Sequence, residues 1–191
     1  MNNIIDEIST CTVCKEFLPF HPRPVIQVNP KAKIAIIGQA PGMKVQNTGI
    51  PWNDASGREL RRWMNVTDEQ FYDPELFAIV PMGFCYPGKG KSGDLPPRPE
   101  CAPLWHDRLW NELPHIELTL LIGSYAQKYY LKKRKYSTLT ETVKNYEDFL
   151  SDGLLPLVHP SPRNKLWQKK NPWFEEKIVP LIQSIIHKHL S

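Results

Sequence analysis

Four cysteines, a carboxylate at the head of a helical stretch and a histidine at the end of an apolar run are the groups in this sequence best placed to do chemistry. Cys11 and Cys14 form a C-x2-C pair that can reach one metal together, while Cys85 and Cys101 bracket a glycine- and proline-rich loop that otherwise lacks a reason for order. Four thiolates would satisfy zinc, and they would equally satisfy an iron–sulfur cluster. The plain alternative is four unrelated small buried residues. No second C-x2-C accompanies the first, so zinc-ribbon spacing is absent. Asp54 precedes the helical spacing of Leu60, Trp63 and Met64, where it serves either as an N-cap or as a negative charge facing a positive transition state. His159 follows the apolar run Leu154 to Val158, and either closes a strand end or donates a hydrogen bond to an oxygen on which charge collects.

The elements that must position these groups follow from periodicity. Ile34-Ala35-Ile36-Ile37 is too short for a helix and stops at Gly38-Gln39-Ala40-Pro41-Gly42, so it reads as a buried strand ending in a turn. In open α/β sheets that edge is where ligands bind. Leu76 to Val80, Leu118 to Ile122 and Leu154 to Val158 give three further strands, and Pro156 marks the last as a sheet edge. Helices are expected over residues 1–10, from Gly57 to Met64, from Pro103 to Leu113, from Ser124 to Leu131, from Leu139 to Leu150 and from Trp173 to His189. Met43 to Asn53 has neither period and reads as a loop, as does the long irregular stretch Gly83 to Pro99. Strands alternating with helices predict a single domain over 1–191. Its expected fold is a three-layer α/β/α arrangement with a mostly parallel four-stranded sheet whose strand-end loops share one edge.

At 191 residues and 41% hydrophobic content the chain is long enough to bury a core and too apolar for general disorder. The formal charge of +4 is mild, and its distribution says more. Lys132-Lys133-Arg134-Lys135 and the group Arg163, Lys165, Lys169 and Lys170 would suit an anionic polymer, although a solvated loop is the simpler reading of the first. With no apolar run of membrane-spanning length and no signal-peptide pattern, a monomeric cytoplasmic protein is expected. A P-loop nucleotide hydrolase fits poorly, because Gly42 is followed by Met43-Lys44.

Taken together, these segments resemble the uracil-DNA glycosylase superfamily over most of the chain. Gly38-Gln39-Ala40-Pro41-Gly42 looks like its first motif and His159-Pro160-Ser161-Pro162 like its second, each at the end of a strand. Cys11, Cys14, Cys85 and Cys101 match the ligand spacing of the iron–sulfur branches, families four and five, which implies a [4Fe–4S] cluster holding two loops together. Asn53-Asp54-Ala55-Ser56-Gly57 is similar to the Gly-Asp-Ala-Ser-Gly segment of family five, whose Asp is catalytic, whereas Gln39 stands where family four has Glu. The longer run His159 to Asn164 resembles the second motif of the single-strand-selective monofunctional uracil glycosylases. Pro81 departs from the pattern, standing where iron–sulfur members carry a uracil-reading Asn.

The resemblance implies a monofunctional enzyme of base excision repair, one that hydrolyses the N-glycosidic bond of uracil or a related deaminated base after flipping the nucleotide out of DNA, double- or single-stranded. It implies catalysis by Asp54 and His159, a base site made by Gly38, Gln39, Ala40 and Trp52, and DNA contacts from Ser161, Arg163 and Asn164. Trp52 would stack on the base, unless it is simply a core anchor. Gln39 cannot serve as a general base, because an amide does not titrate. The competing class is a nucleic-acid-binding module that keeps the fold without efficient base removal.

Overall fold

The structure is a computed structural model, described over residues 1–190. In chain order its elements are α1 (Asn2–Ser9), β1 (Ile34–Ile37), α2 (Met43–Thr48), α3 (Ala55–Met64), α4 (Asp68–Phe71), β2 (Phe77–Ile79), β3 (Lys89–Gly90), β4 (Gly93–Asp94) and α5 (Cys101–Asn111). They continue with β5 (Leu118–Ile122), α6 (Ser124–Leu131), α7 (Leu139–Lys144), α8 (Glu147–Leu150), β6 (Leu154–Leu157), α9 (Lys165–Lys170) and α10 (Val179–Leu190). Four strands form one sheet in the order β2-β1-β5-β6, every neighbouring pair parallel. Pro156 lies in β6 at the sheet edge, as its missing N–H requires.

Alternation along the strands sorts the apolar side chains into two layers. Ile34, Ile36, Phe77, Ile79, Leu118 and Leu120 face Leu60, Trp63 and Met64 of α3 and Ile182 and Ile186 of α10. Ala35, Ile37, Ala78 and Leu121 face the other way, onto α1, α5 and α6. That gives the three-layer α/β/α fold. Both faces of the sheet are covered, which is why its strands read as continuous apolar runs. Among the described residues no helix is long and apolar enough to cross a membrane.

Several elements differ from the sequence expectation. Met43 to Thr48 is helical rather than loop, entered from Gly42 and ended by Gly49 in the left-handed conformation. The stretch Leu139 to Leu150 is two helices, broken at Asn145 and Tyr146, with Thr138 and Glu141 closing a capping box at the start of the first. The closing helix begins with one π-helical segment, Phe174–Ile178. The loop after Gly83 contains the β3–β4 hairpin. Its turn carries Gly90-Lys91-Ser92, the tail of a P-loop signature, but no helix follows and Cys85 occupies the place of the leading glycine.

One buried polar group sits under the ligand-facing edge. His106 of α5 is fully buried, with Nδ1 2.6 Å from the Tyr130 hydroxyl and Nε2 3.1 Å from the Pro81 carbonyl oxygen. A carbonyl only accepts, so Nε2 carries the proton and Nδ1 accepts from Tyr130. Burial pushes this imidazole down to about 4. An unfolded His protonates near its ordinary value of about 6.5. The unfolded chain therefore binds the extra proton first as pH falls, and stability drops between those two values by roughly 3 kcal/mol. Denaturant unfolding at pH 7 and pH 4.5 is expected to show this loss, and a His106→Gln variant to show a shallower pH dependence from a lower starting stability.

Candidate active site

Three strand ends and one helix N-terminus meet at the carboxyl edge of the sheet. The turn after β1 brings Gly38, Gln39, Ala40 and Gly42, the end of β2 brings Ile79 and Pro81, and the segment after β6 brings His159. With Trp52, Asp54 and Val25 they line one pocket. The turn is pinned to the β2 end by Met82 N–H donating to Gly38 O (2.9 Å) and Gly83 N–H to Gln39 O (3.0 Å).

Asp54 is the N-cap of α3, its Oδ1 accepting from Gly57 N–H at 2.8 Å. It also lines the pocket, so the capping role leaves its carboxylate at the site rather than removing it from there. Trp52 belongs both to the edge of the core and to the pocket wall. It packs on the core and lies against His159, ring centroids 5.6 Å apart and planes at 31°. Its backbone is in the left-handed region at φ 54, an uncommon and costly conformation for a bulky residue, and such strain persists where the surroundings enforce it. The enforcement is local. A Cβ on Gly38 would lie 2.8 Å from the Trp52 ring, and one on Gly57 would overlap the Trp52 carbonyl oxygen. Gly57→Ala is thus expected to destabilise the protein by roughly 3 kcal/mol, at the upper end for overpacking because the obstacle is backbone, and to displace Trp52 and Asp54 together. Thermal unfolding and activity assays on the purified variant would show both losses.

His159 is largely enclosed, and burial lowers its pKa against an opposing pull from the Asp54 carboxylate. It is a neutral imidazole at pH 7, able to donate one hydrogen bond without carrying charge. Its carbonyl accepts from Asn164 Nδ2 at 2.7 Å, fixing the segment that follows. Beside the pocket runs a polar groove lined by Gln39, Asp54, Ser92, Asp94, Ser161 and Arg163, among others. Ser161 Oγ caps the short turn Pro162–Asn164 by accepting from Arg163 N–H, and Arg163 Nη1 donates to Ser92 O at 2.7 Å. Gln39 Nε2 donates to Leu95 O at 3.1 Å. The hairpin is thus tied to both motif loops.

The family model of the uracil DNA glycosylase superfamily matches residues 25–183. The chain belongs to that superfamily. Members are in general glycosylases that hydrolyse the bond between base and sugar in DNA. In this superfamily member the fold brings Gly38, Gln39, Ala40, Trp52, Asp54 and His159 into one pocket, and sets Ser161, Arg163 and Asn164 along the adjoining groove.

Sequence reasoning missed Val25 and the hairpin residues Ser92 and Asp94. Val25 reaches the pocket because the connector pairs with the sheet edge, Val25 N–H donating to Phe84 O (2.8 Å) and Gln27 bridging to Ile79. No periodicity announces that pairing. The hairpin left only a weak signal, Gly90 and Gly93 flanking the two polar residues Lys91 and Ser92.

The four cysteines of this superfamily member, none of them in a disulfide, line a second cavity. Its other walls are mostly apolar, including Leu18, Pro22, Pro24, Phe84 and Trp105, with the Arg98 side chain also present. Phe84 N–H donates to Cys101 Sγ at 3.3 Å, and an Arg23 backbone N–H serves Cys85. Arg98 lies beside Cys14, bridges to Glu100 at 2.5 Å and stacks over Phe17. Burial pushes the Cys85 thiol up to about 11 and the Cys101 thiol up to about 12. Among the described residues no three His, Cys, Asp or Glu side chains converge closely enough to hold one metal ion.

Proposed function

We propose that this protein hydrolyses the N-glycosidic bond of uracil or a related deaminated base in DNA, as a monofunctional enzyme of base excision repair. The observation that carries the reading is that the Asp54 carboxylate and the neutral, largely enclosed His159 imidazole line one pocket at the sheet edge. Departure of a base leaves positive charge on the sugar and negative charge on the base. Those two groups answer the two charges.

The nucleotide must first leave the stack. Ser161, Asn164 and the backbone around them suit the phosphates, while Arg163 is placed to enter the gap once it exchanges its Ser92 partner for DNA. The flipped base lies against Trp52. His159 donates to the base oxygen on which charge accumulates, stabilising the leaving anion in a water-poor site. Asp54 faces the oxocarbenium-like sugar and orients the water that adds to its anomeric carbon. That water's second proton goes to solvent or to the departing base, closing the balance of a hydrolysis.

The wall at Pro81 sets the limits of base reading. Its carbonyl is held by His106 and its ring has no donor. Gln39, its amide already oriented by Leu95, is the polar side chain left beside the base. This supports a substrate class of deaminated bases rather than uracil alone.

The cysteine cavity fits a [4Fe–4S] cluster held by Cys11, Cys14, Cys85 and Cys101. Four thiolates on one zinc would have to lie roughly 3.8 Å apart, given bonds of about 2.3 Å in a tetrahedron. The four cysteines line one cavity without that convergence, so the zinc arrangement is not preformed. Amide N–H groups aimed at sulfur and the Arg98 charge suit an anionic cluster. When bound, the cluster supplies a cross-link among the C-x2-C segment, the Cys85 loop and the start of α5. The activity is tested by incubating single- and double-stranded oligonucleotides carrying uracil, hypoxanthine or xanthine with the protein, then treating with alkali. Strand breaks at the modified base are expected, and their absence across the panel would remove the enzyme reading.

A further inference from the structure

Beyond the pocket, a groove of about 860 Å³ lies between α6 and the proline-rich segment that leads into α5. Its composition is uneven. Tyr125 and Tyr129 stand four residues apart on α6 and share a face, spaced about 6 Å along the helix axis. Lys128 lies beside them on α6, and Lys132, the residue that ends the helix, also lines the groove. Trp110 of α5 extends the aromatic floor through its contact with Tyr130, which stacks edge-on against Tyr129. Asp107 is the one carboxylate among the lining residues, which also include Arg98 and the two lysines.

The groove and the active site are neighbours along the chain at two points. Met82, which lines the groove, follows Pro81 of the base pocket and is hydrogen-bonded to Gly38. Gly123, which precedes α6, lies against His159, and a Cβ on it would be 3.8 Å from that side chain. Tyr125 stands two residues beyond Gly123, in the first turn of α6.

We infer that this groove tracks a single strand of the DNA substrate on one side of the flipped nucleotide, its bases stacking on Tyr125 and Tyr129 and its phosphates paired with Lys128 and Lys132. The inference rests on the proposed action on DNA and adds where the flanking strand runs. Aromatic faces accept any base and lysines accept any phosphate, so the track is indifferent to sequence. Tyr125 is 37% exposed and Lys128 is exposed, so either can be replaced without disturbing the core.

The test is binding of an undamaged single-stranded thymidine oligonucleotide to the full chain, by fluorescence anisotropy across a salt series. Tyr125→Ala is expected to raise Kd about tenfold and Tyr125→Phe to leave it within about twofold, because the phenyl ring still stacks. Lys128→Ala is expected to reduce the slope of log Kd against log salt by about 0.7, the loss of one phosphate contact on a single strand. Unchanged Kd and slope in both alanine variants, or no binding by the wild type, would overturn the assignment. The two proposals fail separately. Groove-dependent binding without excision of any base leaves the strand track standing, and excision with variant-independent binding leaves the glycosylase standing.

Discussion

Replacing Asp54 by Asn is expected to slow base release by about 10²- to 10³-fold while leaving the fold as stable as the wild type within roughly 0.5 kcal/mol. The two halves of this result come from different physics. Asn caps a helix about as well as Asp, so the hydrogen bond from Gly57 N–H survives in the variant. What Asn lacks is the negative charge, and removing one group aimed at charge developing in the transition state typically costs a factor of that size. Asp54→Ala loses both functions, and its stability should fall by about 1 kcal/mol as well. Denaturant unfolding beside single-turnover kinetics on the same preparations separates the roles. A variant D54N that is stable and fully active would reduce Asp54 to a cap.

Removing one cysteine is expected to have the larger effect on the protein itself. Cys101→Ala, prepared anaerobically, should carry little or no iron and lack the visible absorbance expected of the wild type. Its unfolding free energy should fall by roughly 2–5 kcal/mol, the size seen when a native cross-link is taken from a small domain. The reason lies in how few buried apolar side chains hold that region, which is tied mainly by surface contacts of Phe17, Phe20 and Arg23. Val13 and Phe17 are 58% and 61% exposed, and the connector after Cys14 contains only one three-residue helical turn, Lys15–Phe17. Segments with few apolar contacts depend on whatever ties them down. Limited proteolysis of the variant should cut first between Cys14 and Val25. Wild-type protein free of iron and zinc, with the stability of its Cys101→Ala variant, would contradict the cluster.

The sheet was legible in the sequence because both of its faces are buried. Four short apolar runs, each stopped by glycine, proline or histidine, correspond to β1, β2, β5 and β6 with boundaries within a residue or so. Pro156 located the edge. Helices with a clear apolar stripe, α1 and α3 among them, were equally visible. The elements that sequence did not announce are those set by tertiary contacts. Helix α2 buries only Val45 and so has no amphipathic period to display. The break between α7 and α8 falls at Asn145 and Tyr146, with no proline or glycine to announce it.

The candidate site shows the same division. The pocket residues were found because they punctuate strand ends, and Asp54 because it heads a helix. Ser92 and Asp94 reach the groove through a hairpin whose strands are two residues each, too short for any alternation. Val25 arrives through one isolated bridge of the connector. The positive φ of Trp52 was invisible for a different reason. Nothing in Pro51-Trp52-Asn53 asks for it, and it is Gly57, five residues on, that leaves room for the Trp52 carbonyl.

The measurement that bears most directly on the activity is product analysis under single-turnover conditions. A uracil-containing oligonucleotide is incubated with excess wild-type protein, free base is quantified by chromatography, and alkali-labile sites are counted in the same sample. The expected result is free uracil and abasic sites in equal amounts, with the D54N protein near background over the same time. An intact oligonucleotide after exposure to well-folded wild-type protein, or equal release by the wild type and D54N, would contradict hydrolysis at this pocket.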